Sequence, residues 1–248
     1  MVRIPRRMIE LGASLKEVMS AAEACGREGR NEGQKTQCSP EDFANERGNG
    51  PPQEVASFYL DQTEVSLFEY QQCVRARRCA PALPPDRRPL DPLFPVTNLS
   101  FFDAQNFCHF RKARLPTEAE YESASRGSNR TLYPWGNFFH SGRANAGRAG
   151  LVHTDPVDGF EFWAPTLSFR DGRSPLGVLN LAGNVSEWTA SPYIPHDRTP
   201  VDVRGRRKYV VKGGDFASSP VHLRATARKG HLPEHRSSTI GFRCASDA

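Results

Sequence analysis

A chain of 248 residues, 38% hydrophobic and 10% aromatic, can bury a core of its own, as one large domain or two small ones. Its net charge of +5 would admit an acidic partner, but the excess is dispersed. Arg126 to Arg148 and Arg204 to Lys208 are the notable basic clusters; both are broken by Gly, and the second has no interleaved aromatic for base stacking, which argues against nucleic acid as a partner. No stretch approaches the roughly 18 apolar residues of a membrane span.

In chain order, Met1-Val-Arg-Ile-Pro-Arg-Arg7 lacks the apolar run of a signal peptide, so if the protein is exported its signal or anchor has been trimmed or lies on a longer precursor. Residues 26–53 are polar, charged and Gly-rich and read as a long surface loop. Val55 to Asp61 is a short apolar strand candidate, and Ser66-Leu-Phe-Glu69 is a capping box from which a helix carrying Tyr70 and Val74 on one face should start. Two further boxes, Ser100-Phe-Phe-Asp103 and Thr117-Glu-Ala-Glu120, open helices with acidic first turns, with Pro116 as a stop between them. From Ser128 onward, short apolar pieces separated by Gly, Pro and Asn suit hairpins and irregular loops. With 20 Gly, 20 Pro and no internal repeat, long helices are expected to be scarce.

The six cysteines, an even number, hint at an oxidising, extracytoplasmic compartment, periplasmic or secreted. Six thiols allow 15 complete pairings and spacing alone does not choose among them. A zinc site is the weaker reading, because no Cys-x-x-Cys is present.

Several phrases occur in a telling order: Phe58-Tyr-Leu-Asp-Gln-Thr-Glu64, Pro95-Val-Thr-Asn-Leu-Ser100, Arg114-Leu-Pro-Thr-Glu-Ala-Glu-Tyr121, Tyr133-Pro-Trp-Gly-Asn137, Gly183-Asn184 to Glu187-Trp188, Lys212-Gly-Gly214 and Gly241-Phe-Arg-Cys244. Together they resemble the formylglycine-generating enzyme, or sulfatase-modifying factor, family. The resemblance implies an α+β fold: one compact domain over 1–248 with its core at 54–247, similar to the C-type lectin fold, with short helices, small antiparallel sheets and little regular secondary structure. Two calcium ions are implied as well. The first would be held by Asn145, Ala146 (backbone oxygen), Asp158 and Phe160 (backbone oxygen), and the second by Asn180, Gly183 and Val185 (backbone oxygens) and Glu187. A hard cation takes such carboxylate, amide and carbonyl oxygens. The bland alternative is that Asn180 and Glu187 cap turns. Cys108 and Cys244 match a family disulfide; a second one would join the positions of Ser125 and Thr226, where both thiols are absent together. The remaining cysteines then pair most simply as Cys73 with Cys79 and Cys25 with Cys38.

The family's enzymes bind copper through two cysteines shortly after Gly-Gly. Here Gly213-Gly-Asp-Phe-Ala-Ser-Ser-Pro-Val-His-Leu-Arg-Ala-Thr-Ala-Arg228 contains none, with Ser218 or its neighbour at the first thiol position. Neighbouring pocket positions depart too, at Asp215, Ser186 and Thr239. A serine does not replace a soft thiolate for Cu(I), so copper and formylglycine formation are not expected. Asp215, Ser218, Ser219 and His222 invite a hydrolase reading, but the nucleophile-elbow motif is absent. His231-Leu-Pro-Glu-His235 imitates an iron site, although two histidines at that spacing share a face on a helix and Pro233 intervenes. The expected function is a non-catalytic, calcium-stabilised module that binds a protein or peptide or regulates another enzyme. The alternative is a metal-dependent oxidoreductase with altered chemistry, its metal at Asp215 and His222; carbohydrate binding rests on fold analogy alone.

Overall fold

The computed structural model describes residues 1–31, 38–48, 50–82, 91–147, 158–195 and 205–248; Arg148 and Arg204 of the two basic clusters lie outside this set. Its regular elements are β1 (Val2–Ile4), β2 (Arg7–Ile9), α1 (Leu15–Asn31), β3 (Gln53–Val55), β4 (Phe58–Leu60), α2 (Leu67–Arg75), α3 (Phe101–Phe110), α4 (Glu118–Arg126), β5 (Ser186–Pro192), β6 (Tyr209–Lys212), β7 (Arg228–His231), β8 (Ile240–Gly241) and β9 (Ala245–Asp247), with short 3-10 turns such as Pro40–Glu46 and Pro220–Leu223. The class is α+β. Short elements follow from the frequent Gly and Pro, which end each one within a few residues.

The three capping boxes act as the sequence indicates. Ser66, Ser100 and Thr117 each accept from the backbone N–H three residues on, while Glu69, Asp103 and Glu120 accept in return from the cap's own N–H, at 2.9, 2.9 and 2.7 Å. A fourth box is the first departure. Ser14 N–H donates to Glu17 at 2.7 Å and Glu17 N–H to Ser14 Oγ at 3.3 Å, opening the 17-residue α1. The segment read as a surface loop over 26–53 therefore contains the end of a long helix and the Pro40–Glu46 turn, and it runs into β3 at Gln53. Val18, Ala21 and Ala22 lie at helical spacing and bury against Phe43 and Val221. The second departure is at Val55 to Asp61, which is not one strand. β3 and β4 are separate and pair with different partners, β2 and β1 respectively, so the chain changes sheet at Ala56 and Ser57.

Among the described residues the strands form three sheets, in the orders β1-β4-β9, β2-β3 and β7-β6-β5-β8. The last is mixed rather than purely antiparallel, because the two-residue β8 runs parallel to β5. It arrives from a loop, anchored where Ser186 N–H donates to Thr239 O at 2.9 Å, and not from a hairpin. One core cluster joins α2, α3 and the mixed sheet around Tyr70, Phe107, Trp188 and Phe242; a second joins β1, β4 and α4 around Ile4, Phe58, Leu60 and Tyr121. Disulfides link Cys25 to Cys38, Cys73 to Cys79 and Cys108 to Cys244; the last crosses the first core cluster and ties α3 to the residue before β9.

Candidate functional site

The loop from Asn180 to Glu187 sits between the two core clusters and turns sharply. Asn180, Gly183 and Asn184 all have positive φ, at 52°, 84° and 64°. Gly183 admits no side chain, since a Cβ there would lie 2.3 Å from Asn145 O. That close approach places the two expected calcium sets side by side. Asn145 Nδ2 donates to Phe162 O at 2.6 Å and to Asn184 Oδ1 at 3.1 Å, and Asn184 N–H donates back to Asn145 O at 2.9 Å.

In the first set, the Asp158 carboxylate accepts the backbone N–H of Ala146 at 2.9 Å and of Phe160 at 3.0 Å, so all the expected residues except Asn145 are joined directly and Asn145 adjoins through the chain. With its amide nitrogen committed, Asn145 offers its carbonyl oxygen. One carboxylate, one amide oxygen and two backbone carbonyls suit a hard divalent cation. In the second set, Asn180 Nδ2 donates to Glu64 at 2.9 Å and to Thr166 O at 3.0 Å, leaving its Oδ1 to serve as a donor oxygen. Glu187 is already engaged: Arg243 Nε and an Arg243 terminal nitrogen donate to it at 2.6 and 2.7 Å, and both side chains are fully buried. Glu64 is the second carboxylate in this region and is also held by Asn184 Nδ2, at 2.9 Å. Burial pushes Glu64 up to about 7, the Arg243 charge pulling it back and the Glu187 charge adding to the rise. Two buried carboxylates face one guanidinium, an imbalance that either a proton on Glu64 or a bound cation relieves. The oxygen types of both sets suit a hard cation such as calcium, and in the second set Glu187 is shared with Arg243.

Sequence reasoning assigned no role to Glu64, Asn184 or Arg243, although each stands in a quoted phrase. Their signal was the phrase itself: Asn184 bonds to Asn145, Glu64 and the Ala164 backbone together, and Arg243 donates to backbone carbonyls of Asp61, Leu179 and Asn180 besides Glu187.

The altered pocket is a braced turn. Asp215 O accepts from Ser218 N–H at 2.8 Å, Asp215 N–H donates to Ser218 Oγ at 3.2 Å, and the Asp215 carboxylate receives Ala217 N–H at 3.0 Å and Ser186 Oγ at 3.3 Å. Thr239 pairs with Ser237, hydroxyl to hydroxyl, at 2.9 Å. The His222 ring stacks on Phe43 with centroids 5.8 Å apart and has no hydrogen bond to Asp215 or Ser218 among the described residues, so the three do not form a relay. Partial burial, with Lys229 and Arg224 adding, pushes His222 down to about 4. The space beside Ser186, Gly214 and His222 is about 30 Å³, room for very few water molecules. Glu46, from the segment that follows α1, forms part of its wall and is held by Arg224 at 2.9 Å and Thr226 at 3.1 Å. All six cysteines are in disulfides and none is free.

His231 and His235 do meet, contrary to the spacing argument. A turn closed by His235 N–H on Leu232 O at 2.9 Å folds the chain back, and the rings stack 4.5 Å apart. Among the described residues no third His, Cys, Asp or Glu joins them or any other candidate metal cluster.

A family model described as the sulfatase-modifying factor enzyme 1-like domain matches residues 27–248. Inactive C-alpha-formylglycine-generating enzyme 2 of Bos taurus is 39% identical over 157 residues, covering 62% of this chain and 51% of that protein. Formylglycine-generating enzyme of Mus musculus is 34% identical over 167 residues, covering 62% and 44%. The chain spans about half the length of these curated relatives. Among solved structures, PvdO from Pseudomonas aeruginosa superposes with a TM-score of 0.71 at 20% identity, covering 99% of this chain and 93% of that one, and CarF with 0.61 at 21%, covering 79% and 88%. These two likenesses establish the fold.

Proposed function

We propose that this chain, which belongs to the sulfatase-modifying factor enzyme 1-like family, is a non-catalytic member: a calcium-stabilised, disulfide-bonded module that binds a protein or peptide partner or regulates another enzyme. The observation that carries the reading is the stretch from Gly213 to Arg228. It contains no thiol, every cysteine elsewhere is in a disulfide, and the space beside Gly214 is about 30 Å³. A soft Cu(I) ion finds no thiolate there. Relatives that carry the name of an inactive formylglycine-generating enzyme support the same reading.

In this reading, calcium is held by Asn145, Ala146, Asp158 and Phe160 and by Asn180, Gly183, Val185 and Glu187. It supplies positive charge to loops rich in inward-facing oxygen donors. Three disulfides without a free thiol support an extracytoplasmic location, and no helix among the described residues is long and apolar enough to cross a membrane.

Elemental analysis of purified protein tests the proposal. Calcium without copper or iron is expected, a chelator should lower the melting temperature by several degrees, and Asp158→Asn should reduce the calcium content. Conversion of the cysteine in a sulfatase-derived peptide to formylglycine, read by mass spectrometry, would overturn the non-catalytic assignment. Stoichiometric iron or copper would favour the oxidoreductase alternative.

A further inference from the structure

Exposed apolar side chains scattered singly are ordinary, but three of them gather at the start of α2. Phe68 on the helix is 55% exposed, Leu93 55% and Leu167 52%. Backbone bonds hold their segments side by side: Phe68 N–H donates to Pro92 O and Thr166 N–H to Leu93 O, both at 2.9 Å. The other end of the same helix is basic. Arg75 closes α2, and Arg77 and Arg78 follow it in the turn to Cys79, all three exposed. Arg6, Arg111 and Arg236, also at the surface, are neutralised by Glu54, Asp61 and Asp103. Arg75, Arg77 and Arg78 have no acidic partner among the described residues.

The basic turn is braced. Cys73–Cys79 closes it, Tyr70 Oη donates to Ala80 O at 2.9 Å, and the N–H groups of Arg77 and Arg78 donate to Val74 O at 2.9 Å and Cys73 O at 3.0 Å. Arg77 is held at φ 58°, where an arginine is strained and a glycine is not. An array of guanidinium groups on so fixed a backbone loses little freedom when it takes up carboxylates. Spacing and polarity then define the occupant. Phe68 and Arg75 are seven positions apart on α2, about 10 Å of rise, which about three residues of extended chain span. Asp91 lies at the apolar end, its carboxylate receiving Leu93 N–H at 2.8 Å, so acidic groups are favoured at the arginine end alone. A sulfated polysaccharide would match the arginines but brings no apolar side chain to Phe68, Leu93 and Leu167.

We infer that the exposed face of α2 docks an extended segment of a partner polypeptide, its apolar side chains on Phe68, Leu93 and Leu167 and its acidic residues, about three positions on, at Arg75, Arg77 and Arg78. The inference rests on the partner-binding reading above and gives it a surface and a partner chemistry. The test titrates the protein into a fluorescein-labelled Phe-Leu-Gly-Ser-Glu-Asp-Glu-Asp peptide and reads polarisation. Binding should be saturable, about 10-fold weaker in Arg75→Glu with Arg78→Glu and about 5-fold weaker in Phe68→Ser. Added salt should weaken the wild type and leave the double arginine variant little changed. The side chains are exposed, so the variants should keep the wild-type melting temperature; if Phe68→Ser does not, Leu167→Ser reads the same apolar contact from another segment. The scrambled peptide Glu-Phe-Asp-Gly-Glu-Leu-Ser-Asp should bind more weakly than the first. No saturable binding, equal affinity for the scrambled peptide, or full affinity in both serine variants overturns the site. A heparin oligosaccharide that binds more tightly than the peptide, and equally well to Phe68→Ser, overturns it too, in favour of a polysaccharide. Formylglycine formation would remove the non-catalytic reading without touching these affinities, whereas failed binding without formylglycine removes this surface alone.

Discussion

Arg243 shows how much one side chain can organise here. Its guanidinium is fully buried, bridges Glu187 through two nitrogens, and donates to the carbonyls of Asp61 and Leu179. Arg243→Met strands two buried carboxylates and should cost about 3–5 kcal/mol in urea unfolding, whereas adding Glu187→Met to it should recover part of the loss, since breaking a buried pair is worse than replacing it. A double variant no more stable than the single one would mean that packing, not charge, dominates. His231 carries a pH effect at the same scale. Burial and the neighbouring His235, Lys229 and Lys208 push it down to about 4 from a usual value near 6.5. Between those values the unfolded chain takes up a proton that the native one refuses, so this contribution is complete above about 6.5 and is lost as pH falls toward 4. Because the ring is partly exposed the loss should be on the order of 1–2 kcal/mol, and His231→Gln should flatten the slope of stability against pH over that range.

At the scale of elements, legibility followed local chemistry. The boxes at Ser66, Ser100 and Thr117 announce helices because cap and reciprocal carboxylate are three residues apart, and all three form. The box at Ser14 and Glu17 was equally local, yet the polar, Gly-rich stretch after Cys25 masked it. What reveals α1 is a partner distant in sequence: Val18, Ala21 and Ala22 gain burial from Phe43 and from Val221. The oxygen loops were legible as candidate ligands, but not their supports, since Glu64, Asn184 and Arg243 meet only in three dimensions. The helix and the Pro40–Glu46 turn are stapled by Cys25–Cys38 across a separation of 13 residues, which in the chain-entropy model contributes about 3 kcal/mol. Cys25→Ser with Cys38→Ser should therefore raise hydrogen exchange in α1 and expose Val221 and His222, leaving α3 and the mixed sheet protected. Uniform exchange throughout the chain would show that this arm folds as one unit with the rest.

For the whole molecule, the decisive link is Cys108–Cys244. Spacing could not select it among fifteen pairings; the family resemblance did, and the structure places its Cα atoms 5.5 Å apart within the largest aromatic cluster. The bond closes a separation of 136 residues, enclosing α4, both oxygen sets and the whole mixed sheet. In the chain-entropy model a loop of that length is worth about 5 kcal/mol, comparable to the whole stability of many domains. Replacing both cysteines by alanine should lower the unfolding free energy by about that amount. It should also raise the urea m-value, because the unfolded chain, freed of its largest loop, exposes more surface. A loss of the same size with an unchanged m-value would locate the effect in the native core beside Tyr70, Phe107 and Phe242 instead. The two outcomes separate a clamp on the unfolded chain from a wedge in the folded one.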